Sequence, residues 1–133
     1  MKDKNEKLWL VRNGNSSASV LPALMRINPT TNSIDTTFIF SSYTDVPLRL
    51  RINGNGDKLI FLKNDVFEMS IQAPALPANP IITQGTKNFY ALGIDPFSNE
   101  IYLGDAIDYN QNGTVMRYNT NGSFHSSFKC GLI

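Results

Sequence analysis

The sequence is poor in the residues that most metal centres and nucleophilic active sites require. Among 133 residues it has one cysteine, Cys130, and one histidine, His125. A single thiol excludes an internal disulfide framework and any zinc site built from several thiolates. A lone histidine without a paired nucleophile leaves little material for a Ser-His-Asp or histidine–metal mechanism. We therefore expect Cys130 to be a small apolar residue and His125 to lie on the surface of an outer strand.

An excess of charge of one sign and long apolar runs are also missing. The 12 lysines and arginines balance 11 aspartates and glutamates, which leaves a formal net charge of +1. This balance provides no electrostatic footprint for nucleic acid or for an anionic membrane. No run of eighteen apolar residues occurs, and Met1 leads into a charged segment rather than an apolar signal core. The chain as given is expected to be soluble, without membrane insertion and without an export signal of its own.

The sequence does contain an internal repeat. Two stretches align without a gap at a shift of 42 residues: 48–62 and 90–104. A second pattern occurs three times, first with the same shift of 42 and then with a shift of 49: 24–28, 66–70 and 115–119. The larger second shift places seven extra residues between Leu103 and Val115. A fixed period of this kind indicates a repeat architecture in which each unit buries its apolar faces against its neighbours.

Each repeat resolves into four short strands. The first alternates apolar and polar residues, and the second is short, apolar and rich in strand formers, as expected of a strand covered on both faces. Seven prolines, nine glycines and the lack of an amphipathic helical pattern leave little room for helix. Four strands in 42 to 49 residues is typical of a β-propeller blade, whose repeat is about 40 to 50 residues. The predicted strands are 8–11, 24–28, 33–40, 48–52, 59–62, 66–71, 80–83, 90–94, 101–103, 115–119 and 123–128.

The predicted fold class is therefore all-β, with a single partial β-propeller domain over residues 1–133. It would consist of three four-stranded antiparallel blades, at about 1–45, 46–87 and 88–133. Aligning 8–10 with 101–103 places Met1 inside the first turn of a blade, so the first blade would lack its innermost strand. Because closed propellers have about four to eight blades, we expect completion by further blades or by other copies in a homo-oligomer.

The stretch D-Y-N-Q-N-G, which begins at Asp108, resembles the start of a calcium-binding EF-hand loop. Such a loop needs flanking helices and a bidentate glutamate at position 12, where this chain has Asn119 in a predicted strand. The stretch is better explained as the loop between the second and third strands of the third blade, closed by a turn at Asn112–Gly113. We therefore predict no metal site and no cofactor. Calcium bound in another geometry stays an open alternative, with three candidate ligands: Asp105, Asp108 and Asn110.

Ligand-binding residues are expected on one rim of the fold. In a propeller, the loops between second and third strands and the loops between blades open on the same rim, and loops on a rigid scaffold concentrate binding groups. The candidate ligand-binding residues are Tyr43, Asp45, Arg51, Asp105, Asp108, Tyr109, Asn110 and Gln111. Two alternatives stay open. Asp105 and Asp108 can instead satisfy backbone N–H groups in Asx-type turns, and Arg51 can form an ion pair between blades rather than meet an anionic ligand.

The order of motifs resembles a known family. R-I-N-P-T-T-N is followed by V-P-L-R-L-R-I-N-G-N-G-D-K-L-I-F-L, F-Y-A-L-G-I-D-P-x-x-x-E-I-Y and D-A-I-D-Y-x-Q-x-G-x-V-x-R-Y. This order is similar to the YncE-like, surface-layer-type (YVTN-like) β-propellers of Bacteroides-type bacteria, and corresponds to their C-terminal blades. The resemblance, from about Lys7 to Ile133, implies a seven-bladed, non-enzymatic propeller that is exported to the cell surface or periplasm. Relatives are usually lipid-anchored lipoproteins encoded near outer-membrane uptake transporters, and some capture corrinoids.

The expected function is a non-enzymatic binding or scaffold propeller in a ligand-capture or transporter-associated protein at the cell surface. The expected partners are a small molecule, with a corrinoid as one candidate, or an outer-membrane transporter, and not nucleic acid. One alternative is a structural or interaction fragment with no small-molecule ligand. Another is a propeller hydrolase with a metal in its channel, which needs several carboxylates or histidines converging on the axis. The innermost strands supply only Asp95 for that purpose.

Overall fold

The computed structural model describes residues 1–43, 48–105 and 113–129. These residues form ten strands and no helix, so none of them lies in a helix long and apolar enough to cross a membrane. The strands are β1 (Leu8–Arg12), β2 (Ala23–Asn28), β3 (Ser33–Ile39), β4 (Arg49–Ile52), β5 (Lys58–Lys63), β6 (Asp65–Ser70), β7 (Phe89–Ile94), β8 (Ile101–Asp105), β9 (Thr114–Tyr118) and β10 (Phe124–Lys129).

The strands form three antiparallel sheets, each built from consecutive strands. The first sheet has the order β1-β2-β3, the second β4-β5-β6 and the third β7-β8-β9-β10. The prediction of an all-β fold is confirmed, and sheets of three and four strands are consistent with propeller blades. Each sheet falls within one of the three predicted repeats.

Turn chemistry separates the strands much as the sequence predicts. Asn32, Gly56 and Gly122 occupy the left-handed region, with φ values of +52°, +73° and +87°. Asparagine and glycine tolerate this conformation better than other residues, so they close tight turns at little cost. The three turns follow β2, β4 and β9 and connect each of these strands to its antiparallel neighbour.

The predicted strand at 80–83 is wrong. In its place the second sheet has a single isolated bridge, in which the Val66 amide donates to the Ile82 carbonyl at 2.9 Å and the Ile81 amide donates to the Val66 carbonyl at 2.8 Å. The preceding segment contains three prolines within seven residues, and proline supplies no N–H for a β-ladder. The segment therefore contributes a buried side chain, Ile82, without extending the sheet.

The three sheets pack in series, with β5 at the centre of the stack. The side chains of Leu59 and Phe61 face the first sheet, whereas Ile60 and Leu62 face the third, and all four are buried. The prediction that this strand is covered on both faces is confirmed. The core between the first and second sheets contains Trp9, Leu24, Phe40, Leu48, Leu50, Leu59, Phe61, Met69 and Ile71. The core between the second and third contains Ile60, Leu62, Val66, Ile82, Phe89, Leu92, Ile101, Leu103, Met116 and Tyr118.

For β8, the described chain covers only one of the two faces. Ile101 and Leu103 are buried against the second sheet, but Tyr102 and Gly104, which point to the other face, are only half-buried. No sheet in the described part of the chain packs on that second face. By contrast, the expected core position of Trp9 is confirmed, since the indole is almost fully buried.

Candidate functional site

The structure describes three of the predicted ligand-binding residues. Tyr43 follows β3 and is 40% exposed, Arg51 lies in β4, and Asp105 ends β8. The remaining five lie outside the described residues: Asp45, Asp108, Tyr109, Asn110 and Gln111. The proposed turn at Asn112–Gly113 and the cysteine Cys130 also reach beyond the described ranges.

Asp105 helps to hold the loop that connects the second and third sheets. Its Oδ1 accepts a hydrogen bond from the amide of Asn88 at 3.3 Å. Four residues earlier in the same loop, the amide of Gln84 donates to Asp65 Oδ1 at 2.8 Å. Asp105 therefore satisfies a backbone N–H group, as the turn interpretation expects, and this N–H belongs to the loop that carries Asn88.

A cation, a carboxylate and a phenol lie close to this loop. The Nζ of Lys87 is 3.0 Å from Met116 Sδ, and the Tyr118 hydroxyl points at the same sulfur at 3.9 Å. Burial raises the pKa of Tyr118, and the nearby carboxylate of Asp105 raises it further, because both disfavour the phenolate. The phenol therefore stays protonated at neutral pH and offers a hydrogen-bond donor rather than an anion.

The two arginines of β4 have backbone partners. Arg51 Nη1 donates to the carbonyl of Leu50 at 2.7 Å, and Arg49 Nε donates to the carbonyl of Tyr90 in the third sheet at 3.3 Å. Within the described ranges neither guanidinium forms an ion pair, and the interpretation of Arg51 as part of an ion pair between repeats stays a prediction. Both side chains are exposed, which leaves most of their N–H groups available to an anionic ligand.

A repeated polar arrangement lies at the edge of the sheets opposite to Tyr43 and Asp105. The sequence prediction did not single it out as a site. Asp3, Asn53 and Asp95 occupy corresponding turns, and each side chain accepts two backbone N–H groups of its own turn at 2.8 to 3.1 Å. These hydrogen bonds lower the pKa of Asp95, because the amides of Phe97 and Ser98 stabilise its carboxylate. In the sequence, this arrangement is indicated by the internal repeat, which aligns Asn53 with Asp95 at the shift of 42 residues.

The turns also contact one another and border two clefts. The Lys4 amide donates to the Gly56 carbonyl at 3.1 Å, and the Gly54 amide donates to Asn99 Oδ1 at 2.8 Å. A cleft of about 210 Å³ lies between the second and third sheets, and its lining includes Asn53, Asn55, Asp57, Lys58, Glu68 and Asn99. An open groove of about 460 Å³ borders the turn of the first sheet.

The cleft between the second and third sheets is polar but internally satisfied. Lys58 Nζ lies 2.9 Å from Glu68 Oε1, and this carboxylate raises the pKa of Lys58. The Nδ2 of Asn53 donates to Asp57 Oδ1 at 2.8 Å. Because these groups pair with one another, a ligand in the cleft would have to replace existing interactions.

No assembly of metal-binding side chains occurs within residues 1–43, 48–105 and 113–129. Groups of three or more histidine, cysteine, aspartate or glutamate side chains are absent from those ranges. Asp95, the acidic residue of the innermost strands, uses its Oδ1 within its own turn. His125 is exposed, as predicted, with Nδ1 2.9 Å from Ser126 Oγ. The described residues therefore contain no cluster of the kind that the metal-dependent hydrolase alternative requires.

Comparison with known proteins adds no identification. Neither the models of known protein families nor the curated proteins include a match to this chain.

Proposed function

We propose that this chain is part of a non-enzymatic β-propeller of the YncE-like, surface-layer type, which acts as a binding or scaffold module in an exported protein. The proposal combines the order of sequence motifs with the series of three similar antiparallel sheets. Its expected setting is the cell surface or periplasm, in a ligand-capture or transporter-associated protein. A small molecule is the proposed ligand, with a corrinoid as the first candidate.

The packing of the second sheet is the observation that carries the proposal. β5 is buried by the first sheet on one face and by the third sheet on the other, and the turns of neighbouring sheets are hydrogen-bonded. Propellers are built from small antiparallel sheets repeated around a channel, and successive sheets bury one another in this way. Loops on such a rigid scaffold are suitable positions for binding groups.

The proposed ligand lies on the rim that carries Tyr43 and Asp105 and extends along β4 to Arg51. An exposed ring supplies a stacking surface, an exposed guanidinium attracts phosphate or carboxylate groups, and Asp105 accepts hydrogen bonds. A corrinoid presents amides, a phosphate and a large planar ring, so its chemistry suits this combination. Such a site needs no catalytic group in the protein.

The test is a titration of the protein with cobalamin, followed by absorbance, with the solution mass measured by light scattering on the same sample. The proposal expects a saturable spectral change that weakens in Arg51→Ala and Tyr43→Ala. Lys129→Ala and Phe97→Ala are matched controls, because Lys129 lies on the outermost strand and Phe97 is 94% exposed in a turn at the opposite edge. If no spectral change occurs, or if the control substitutions weaken it equally, the proposal of corrinoid capture at this rim is wrong.

A structural or interaction module without a small ligand is the second candidate function. Exposed apolar side chains on strands favour it, among them Leu10, Ile34, Ile39 and Phe128. A protein that remains well folded, binds no cobalamin and associates through these surfaces would support this second function.

A further inference from the structure

Each sheet has two faces that can be compared by position. We use "front" for the face that points toward the preceding sheet in the chain and "back" for the face that points toward the following sheet. The front of the second sheet contributes Leu59, Phe61, Phe67 and Met69 to the core shared with the first sheet. The front of the third sheet contributes Ile101, Leu103, Met116 and Tyr118 to the core shared with the second. Four corresponding positions are therefore apolar and packed in both sheets.

The first sheet carries the same four positions without a cover. By register, Leu8 pairs with Ile27 and Leu10 with Met25, as Leu59 pairs with Met69 and Phe61 with Phe67 in the second sheet. All four are apolar, yet Leu10 is 41% exposed and the other three are only half-buried. The front of the first sheet therefore has the composition and register of a packed face, with nothing in the described chain packed on it.

The back of the third sheet repeats the back of the first. In the first sheet Trp9 pairs with Arg26 and Val11 with Leu24, and this face packs on the front of the second sheet. In the third sheet the corresponding pairs are Tyr102 with Arg117 and Gly104 with Val115. An aromatic residue beside an arginine thus recurs at the same position, but these third-sheet residues are only half-buried.

Both arginines have a carboxylate partner, so neither face presents an unpaired cation at this position. Arg26 Nε lies 2.7 Å from Asp35 Oδ1, with its guanidinium 5.6 Å from the centre of the Trp9 ring. Arg117 Nη2 lies 2.6 Å from Glu100 Oε2. Because Asp35 neutralises Arg26, this arginine is compatible with close packing of the first sheet on an apolar front face. Glu100 neutralises Arg117 of the third sheet in the same way.

We propose that the back of the third sheet in one copy docks on the front of the first sheet in a second copy. The two faces form the same kind of pair that already packs twice within the chain, and they lie at opposite ends of the series of sheets. Because two different faces meet, the contact is heterologous, and it produces a ring or an open chain of copies rather than a symmetric pair. The inference rests on the repeated faces and is independent of the proposed ligand.

One polar contact between neighbouring sheets cannot recur at this junction. Lys4 and Gly54, at corresponding positions, each donate a backbone N–H to the turn of the following sheet. The third sheet has Pro96 at that position, which has no N–H to donate. Docking between copies therefore depends on the apolar faces, so single substitutions on those faces are decisive.

The test is light scattering over a wide range of protein concentrations. The unmodified chain is expected to form assemblies larger than a monomer, whose mean mass rises with concentration. Leu10→Lys, which damages only the front face, and Tyr102→Lys, which damages only the back face, are each expected to be monomeric. Phe97→Lys is the matched control, because Phe97 is exposed in a turn away from both faces, and it should assemble like the unmodified chain. Far-UV circular dichroism verifies that each variant is folded.

Mixing the two monomeric variants provides the sharpest result. Leu10→Lys retains an intact back face and Tyr102→Lys an intact front face, so an equimolar mixture should form a discrete one-to-one dimer that grows no further. A monomeric unmodified chain at the highest concentrations would overturn the proposal, and so would a mixture that stays monomeric. Self-association of Tyr102→Lys alone would equally overturn it, because that result indicates a contact between two front faces.

Discussion

Gly54 lies so close to Pro96 that the second and third sheets meet through backbone at this point. A Cβ built on Gly54 would be 1.8 Å from the Pro96 carbonyl oxygen, well inside the closest approach of real atoms. The Gly54 amide also donates to Asn99 Oδ1 at 2.8 Å, which holds the two turns together. Glycine is therefore required here by the close approach of another chain segment rather than by its own backbone conformation.

Gly54→Ala is predicted to destabilise the protein by about 1–3 kcal/mol, because the added methyl group must push the two turns apart. Urea unfolding measures the effect. Gly93→Ala is the control, since a Cβ at Gly93 would meet only Tyr102 Cβ at an ordinary 3.8 Å. Equal midpoints for Gly54→Ala and the unmodified protein would show that the turns separate easily and are not a tight junction.

Removal of the Asp3 carboxylate is predicted to destabilise the first sheet. Asp3 Oδ2 accepts from the Trp9 indole N–H at 2.8 Å, and Oδ1 accepts from the amides of Asn5 and Lys7. Asp3→Ala leaves the buried indole N–H without its partner, at a cost of about 1–3 kcal/mol. Because Trp9 is the only tryptophan, its fluorescence follows the unfolding directly. Asp3→Asn keeps one carbonyl acceptor and should lose less stability, and an equal loss in both variants would contradict this explanation.

Phe61 is predicted to be among the costliest side chains to truncate. Its ring stacks on Phe67 with centroids 5.2 Å apart and contacts Phe40 at 5.8 Å, and it is almost fully buried. Phe61→Ala should lower the free energy of unfolding by about 3–5 kcal/mol. Phe97→Ala, at an exposed phenylalanine, should change it by no more than about 0.5 kcal/mol. Similar midpoints for these two variants would contradict the packing of the core between the first and second sheets.

The ion pair between Asp35 and Arg26 predicts a pH-dependent contribution to stability. The hydrogen bond from Arg26 lowers the pKa of Asp35 below its ordinary value of 3.8. A lowered pKa in the folded state adds stability above pH 3.8, and this stability is lost as the pH falls through the folded-state value. For a partly exposed pair the gain at pH 7 is about 0.2–1 kcal/mol.

A double-mutant cycle isolates that contribution from the other contacts of Arg26. The variants are Asp35→Asn, Arg26→Gln and both together, measured by urea unfolding at pH 7 and again below pH 3.8, the ordinary pKa of the carboxyl group. The coupling energy should be stabilising at pH 7 and smaller at the acidic pH. A coupling that is the same at both values would mean that the charge of Asp35 is not its source.

The contacts of the candidate site were harder to predict from the sequence than the strands were. The sequence identified a rim of loops, but Asp105 accepts from the amide of Asn88 in a different loop, and Arg49 donates to the carbonyl of Tyr90 in a different sheet. Contacts of this kind depend on which segments the packing brings together. The alignment of Asn53 with Asp95 did contain the repeated turn, although the clefts beside it emerge only when neighbouring sheets are placed together.

The sequence by itself determined the number and order of repeats, most of the strands and the burial of Trp9. These features depend on local alternation of apolar and polar residues and on turn chemistry, both of which are readable along the chain. Only the tertiary structure decided that 80–83 forms one bridge instead of a strand and that, of the two similar apolar strands β5 and β8, the described chain covers both faces of the first and one face of the second. Strand pairing and face burial depend on the neighbours that a segment meets in space, and an apolar run has the same appearance in the sequence whether one or both of its faces are covered.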